Sequence, residues 1–241
     1  MTEILWVVLP YVCLTTFVVG HFWRYRYDKF GWTTRSSQLY ETEQLAWASP
    51  LFHFGILGVL AGHVVGLLIP ESATSAIGIS EGLYHAVAAM GGTVTGLAAV
   101  VGLALLVRRR RLTPAVFRIT TAMDKAMFLL LGAVIAVGVY NTVGINLLGP
   151  GHDYRVDVAG WVRSVLLLNP RADLMAAAPA TFQLHALLAM GLLALWPFTR
   201  LVHVFSVPLA YVARPYIVYR TRESRSGGAR APRRGWEPPG H

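Results

Sequence analysis

Four histidines draw attention by where they fall. Of eight histidines in 241 residues, His53 and His63 share one apolar stretch, and His185 and His203 share another. An ionisable ring inside an apolar run is costly and needs a partner or a task. A lone histidine on an apolar face is most simply a satisfied core residue. Two pairs confined to two stretches are harder to read that way. Neutral imidazoles facing each other across a flat apolar slot suit haem iron. Zinc would favour cysteine or carboxylate at close spacing, and these stretches supply neither. Two histidines per iron leave no open position, which points to electron transfer and not to oxygen binding. No C-x-x-C-H occurs, so the expected cofactors are two b-type haems, held without thioether bonds.

The elements that must position these rings are membrane helices. The chain is 55% hydrophobic and 14% charged, too apolar for an ordinary soluble domain. A span needs roughly 20 apolar residues, and five stretches qualify: Ile4 to Trp23, Leu51 to Ile69, Leu83 to Val107, Ala122 to Leu148 and Pro179 to Val207. Pro10 is expected to kink the first, which has no basic n-region and reads as a mature span. Arg108-Arg109-Arg110-Arg111 is expected to stop the third. The fifth contains Pro197. The reading is therefore an all-α membrane protein of five transmembrane helices, with two haems between the second and the fifth. Residues 1–220 form the cytochrome b domain, and residues 221–241, rich in Arg, Gly and Pro, form a disordered basic tail. Segment 156–169 carries Arg163 and is too short to span, so it is expected to lie on the outer surface as an amphipathic helix.

Charge sets the orientation. Eighteen of the twenty-one basic residues lie in segments 24–50 and 108–125 and from Arg200 onward. By the positive-inside rule that side is cytoplasmic, so the N-terminus is outside and the C-terminus inside. The net charge of +9 has this same origin; its topology argues against a nucleic-acid partner and for contact with membrane lipid or a docked subunit. The single cysteine, Cys13, excludes an internal disulfide and thiolate clusters and reads as a small buried hydrophobe.

Spacing then pairs the ligands. His185 and His203 are eighteen residues apart, five full turns, so on a straight helix they face one way roughly 27 Å apart. His53 and His63 are ten apart, about 80° around the axis and roughly 15 Å along it. The second helix runs outward and the fifth inward. His53 therefore meets His203 on the cytoplasmic side, and His63 meets His185 nearer the outside. The unequal spacings require tilt or a bend, for which Pro197 is one place. Gly55, Gly58, Gly62 and Gly66 would give a macrocycle room, or serve plain helix packing. His21 and His152 fall near membrane boundaries and are expected to be solvated. A haem-free transporter moving protons through its histidines is an alternative, separated by a reduced-minus-oxidised spectrum.

The run Ser49-Pro50-Leu51-Phe52-His53-Phe54-Gly55-Ile56-Leu57-Gly58, with Gly62-His63 and Gly66, resembles the gamma subunit of respiratory nitrate reductase. So does Pro197-Phe198-Thr199-Arg200-Leu201-Val202-His203, followed by Ser206-Val207-Pro208 and Tyr211. Arg24-Tyr25, Trp32, Ser36-Ser37-Gln38, Gly91-Gly92 and Gly160-Trp161 also match, so the resemblance covers about residues 4 to 220. It implies a subunit of the bacterial cytoplasmic membrane carrying two b haems on His53, His63, His185 and His203. It also implies quinol oxidation near the outer face, at Gly62 and His63. The implied partners are a cytoplasmic iron–sulfur beta subunit and a molybdenum alpha subunit that reduces nitrate to nitrite. Where the family has a functional lysine, Leu83 stands here, and His85 two residues on is the candidate quinol contact or proton acceptor. Gln183 stands where the family has a basic residue two before the outer ligand. The related membrane cytochromes of heterodisulfide- or sulfite-linked complexes share the histidine arrangement.

Overall fold

The computed structural model describes residues 2–28, 31–32 and 36–206. The proposed tail at 221–241 lies outside them. The described residues are helical, with five helices long and apolar enough to cross a membrane. These are α1 (Ile4–Tyr27), α2 (Glu43–Leu68), α3 (Glu81–Leu112), α4 (Ala122–Leu147) and α5 (Ala180–Phe198). Short helices at Glu71–Ala76, Pro114–Arg118, Val158–Leu166 and Ala172–Ala177 lie in the connections.

The packing order differs from the chain order only at α1. Helix α2 lies along α3, α3 along α4, α4 along α5, and α5 along α1. Glycine sets the closest approach. A Cβ on Gly55 would come within 2.5 Å of the Ala99 backbone nitrogen, and one on Gly102 within 2.5 Å of the Phe52 nitrogen. Gly58 faces the Thr95 side chain in the same seam. In lipid, association rests on van der Waals contact, so small residues that let backbones touch hold this pair. Gly55 and Gly58 therefore serve helix packing.

Several ends differ from expectation. Helix α3 does not stop at the arginine run but continues through it to Leu112. Cations suit the carbonyl-rich end of a helix, and three of these have partners, Arg111 lying over the Phe117 ring. Arg109 is buried, donating to the Ser37 hydroxyl and carbonyl and to Glu41. Arg110 donates to Thr120 Oγ1 at 3.0 Å and lies over the Phe128 ring. The Gln44 backbone N–H and then Arg109 hold the Glu41 carboxyl below the usual carboxylate range. Helix α2 begins at Glu43, earlier than expected, with Pro50 inside it. Pro10 stands where a π-helical stretch, Ile4–Val8, passes into regular α-helix, so the irregularity lies beside the proline.

The fifth span is not the straight helix assumed. Regular helix ends at Leu195, a 3₁₀ turn follows at Trp196–Phe198, Thr199 is extended, and a second 3₁₀ turn covers Arg200–Val204. The break falls at Pro197. The phase argument over eighteen residues consequently does not apply to His203. Segment 156–169 supplies only Val158–Leu166 as helix, and it packs on the protein. Trp161 is buried, its ring edge-on to Trp6 at 5.6 Å, and its Nε1–H donates to the Trp6 carbonyl at 2.9 Å. Arg163 donates to the Leu67 carbonyl.

Candidate haem-binding site

The four histidines meet as two pairs. The His53 and His203 rings lie 6.0 Å apart between centroids, with planes at 73°. The His63 and His185 rings are also 6.0 Å apart, with planes at 29°. Helices α2 and α5 do not pack along each other among the described residues; α2 leans on α3, and α5 on α1 and α4. The histidine rings therefore reach across a separation between the two helices.

Hydrogen bonding orients the rings. His53 Nδ1 is 2.7 Å from the Ser49 carbonyl, His63 Nδ1 is 2.8 Å from the Val59 carbonyl, and His203 Nδ1 is 2.7 Å from the Arg200 carbonyl. A carbonyl only accepts, so each Nδ1 carries the proton and donates. In a neutral ring Nε2 then offers its lone pair. Metal-ligating histidines show this same division of labour. His185 differs: its buried ring is set against the α4 backbone at Val134, and its Nδ1 makes no well-formed hydrogen bond. Gly138 makes room for it, since a Cβ there would fall 2.8 Å from His185 Cε1.

These residues fit a flat iron cofactor. A metal–imidazole bond is about 2.0 Å and a ring nitrogen lies about 1.1 Å from its ring centre, so two axial imidazoles place their centroids about 6.2 Å apart. Both pairs match that separation. The paired rings come from α2 on one side and from α5 and the turn beyond it on the other, and three of the four have Nδ1 engaged and so offer an Nε2 lone pair.

Beside the His63 end lies the candidate quinol contact set. A Cβ added to Gly62 would meet nothing within 4 Å, so α2 presents bare backbone one residue before His63. One turn on, Gly66 faces the hydroxyls of Tyr84 and Tyr154, which lie 3.2 Å from each other. Burial first, then the Tyr84 contact, raises the Tyr154 phenol above its ordinary range, so it stays protonated. His85 is half-exposed, with Nε2 3.0 Å from Glu81 Oε1 and 3.9 Å from Asp153 Oδ1. Ligand-type atoms of Glu81, His85 and Asp153 lie within 4.8 Å of one another. The buried Arg155 donates to Glu81 at 3.1 Å and to Thr74 at 3.0 Å, and lies 3.9 Å over the Tyr84 ring.

Sequence reasoning missed the role of Gly138, which shows no sign before α4 and α5 are placed together. It also expected His21 and His152 to be solvated; both are only partly exposed and have partners. His21 Nδ1 bonds the Phe17 carbonyl, its ring lies among Phe17, Trp32 and Phe205, and its Nε2 is buried. His152 contacts Asp157 at 2.9 Å and packs on Phe182. Leu83 is exposed, and Gln183 donates to the Ala178 carbonyl, closing the short helix before α5.

Known proteins resemble this chain in sequence over most of its length. The chain is 53% identical, over 98% of its length, to the nitrate reductase-like protein NarX of Mycobacterium tuberculosis, of which it spans only 36%. It is 44% identical to the nitrate reductase gamma chain of Bacillus subtilis, covering 91% of this chain and 98% of that one. It is 33% identical to the respiratory nitrate reductase 1 gamma chain of Escherichia coli, covering 89% and 95%. The family model of the nitrate reductase gamma subunit matches residues 2–222. With this match over nearly the whole chain, the protein belongs to the nitrate reductase gamma subunit family.

Proposed function

We propose that this chain is the quinol-oxidising, di-haem membrane subunit of a respiratory nitrate reductase. The observation that carries the reading is the pair of histidine contacts, each 6.0 Å between ring centroids, that join α2 to α5. His63 and His185 would hold an outer b haem, and His53 and His203 an inner one. Bound there, the haems supply one-electron carriage from quinol at the outer end toward cytoplasmic iron–sulfur and molybdenum subunits. Orientation follows the basic residues: those at the ends of α1 and α3 and at the start of α4, with Arg118 and Arg200, face the cytoplasm.

The chain's own residues then have defined tasks. Gly62 lets a planar ring approach the α2 backbone beside His63. Tyr84 and Tyr154, both phenols, offer hydrogen bonds to a quinol oxygen near Gly66. Oxidation of quinol to quinone releases two protons with the two electrons. His85, whose Nε2–H points to Glu81, takes a proton at Nδ1, and Glu81 and Asp153 beside it stabilise the charged ring at the outer face. Nitrate reduction belongs to the partner subunits.

Purification with its partners tests this. Pyridine haemochrome analysis is expected to give two b haems per chain, both reducible by a quinol analogue, with molybdenum and iron–sulfur clusters in the same complex. One haem, or none, sinks the ligand assignment; haems reduced by dithionite and never by quinol sink the quinol role.

A further inference from the structure

The break in the fifth span raises a structural question. Residues after Thr199 are no longer held by the hydrogen-bond ladder of α5, yet His203 stands among them. Its Nδ1–H donates to the Arg200 carbonyl, so the ring's direction depends on where Arg200 sits.

Two charged arms from other helices reach this segment. From α4, Asp124 accepts Arg200 Nε and Nη2, both at 2.8 Å, in a two-pronged pair. Asp124 is 2% exposed and is itself fixed by a reciprocal cap with Thr121. From α1, the buried Arg24 donates to the carbonyls of Pro197 at 2.7 Å and Thr199 at 2.9 Å. These are carbonyls that the break removes from ordinary helical pairing. Gly20, one turn before Arg24, lets α1 approach, since a Cβ there would lie 2.8 Å from Pro197 Cβ. The Trp196 indole N–H closes the loop by donating to the Leu201 carbonyl. The other ligands have no such arrangement among the described residues: His53 and His63 bond carbonyls of their own helix, and no charged side chain described reaches those carbonyls.

We infer that Asp124, acting through Arg200, and Arg24, acting through the Pro197 and Thr199 carbonyls, are positioning residues that set the orientation of the His203 imidazole. The inference rests on the reading of His203 as a haem ligand. A guanidinium fork fixes both direction and distance, which a point charge does not. With the Arg200 main chain held, the carbonyl that accepts from His203 is held too, and with it the angle between the His203 and His53 rings.

The readout is ring orientation, seen in the g values of each low-spin ferric haem. Those values follow the angle between axial imidazole planes, which a change of nearby charge alone leaves in place. Wild-type protein is expected to give two distinct low-spin signals. Asp124→Asn and Arg200→Lys are each expected to shift or broaden one signal, the one that His53→Ala abolishes, and to leave the other unchanged. Arg200→Lys keeps the charge and loses the fork. Arg24→Gln tests the second arm, with the same signal expected to move. If Asp124→Asn yields no stable protein, Arg200→Lys and Arg24→Gln decide. Unchanged signals in those variants, or equal movement of both signals, overturn the positioning role while leaving the haem assignment intact. A wild-type protein without haem overturns both.

Discussion

At the proposed cytoplasmic end, His203 stands on a short turn beyond a helix break, and ionic side chains from α1 and α4 reach that turn. At the proposed outer end, His185 stands inside regular helix, its ring set against Gly138, with no charged side chain among the described residues bonded to it. The ring separation is the same in both pairs, while the planes lie at 73° in one and 29° in the other. One ligand separation is thus reached in two ways. The inner site spends polar groups on holding a displaced ligand; the outer site uses shape, and its polar groups lie further out, around His85. Under the proposed function, that division would suit an outer end that admits a substrate and an inner end that keeps its geometry beside a partner protein.

The sharpest way to break this comparison is to remove ligands one at a time. His53→Ala and His203→Ala are each expected to lose the same one of two haem components, and His63→Ala and His185→Ala the other, as read in reduced-minus-oxidised spectra. A His53→Ala spectrum matching that of His185→Ala would undo the pairing. Next come two glycines that separate scaffold from site. Gly138→Ala forces its Cβ onto His185 and is expected to deplete only the outer haem. Gly55→Ala pushes α2 off the Ala99 backbone and is expected to cost about 1–3 kcal/mol of packing, lowering both haems together with thermal stability. Equal loss of both haems in Gly138→Ala would show that shape at the outer site is not local.

Gly62→Val should have a smaller, purely kinetic effect. The structure leaves space around Gly62, so the variant is expected to fold and carry both haems. Reduction by a quinol analogue is expected to slow by about tenfold, equivalent to ~1.4 kcal/mol in the barrier. A wild-type rate would move the quinol site elsewhere. His85→Leu is expected to have the least effect, slowing quinol oxidation by about threefold, or ~0.65 kcal/mol, with haem content unchanged. An unaltered rate would leave His85 as a surface partner of Glu81.

Much of this was readable before any coordinates. Five apolar runs of spanning length, and the opposite directions of α2 and α5, were enough to bring His53 toward His203 and His63 toward His185. Other features were not readable, for physical reasons. In lipid the outside of a helix is as apolar as its interior, so no hydrophobic stripe marks the buried face, and Gly55 looks the same as Gly62 in sequence. One packs on a backbone and the other on nothing. The arginine run looked like a helix stop because the partners of Arg109, Ser37 and Glu41, lie about seventy residues away. The bend at Pro197 was foreseen as one place for a bend. That it would end the helix was not, because Arg24, which satisfies the freed carbonyls, belongs to α1.

The separation between α2 and α5 bears on how the protein is built in the cell. Each helix has its own neighbours, and the histidine pairs join them. A ligand that bridges two such halves contributes its binding free energy to their association, about 4 kcal/mol when present at a thousand times its dissociation constant. Loading of haem and closure of the bundle are then one event, so haem supply would act as a checkpoint on maturation. Under haem limitation the α2–α3 seam would hold, while α5 and the turn that carries His203 would lack their link to α2 and be the more open to proteases. Time courses of limited proteolysis, with and without added haem, would reveal that checkpoint as a change in the lifetime of the chain.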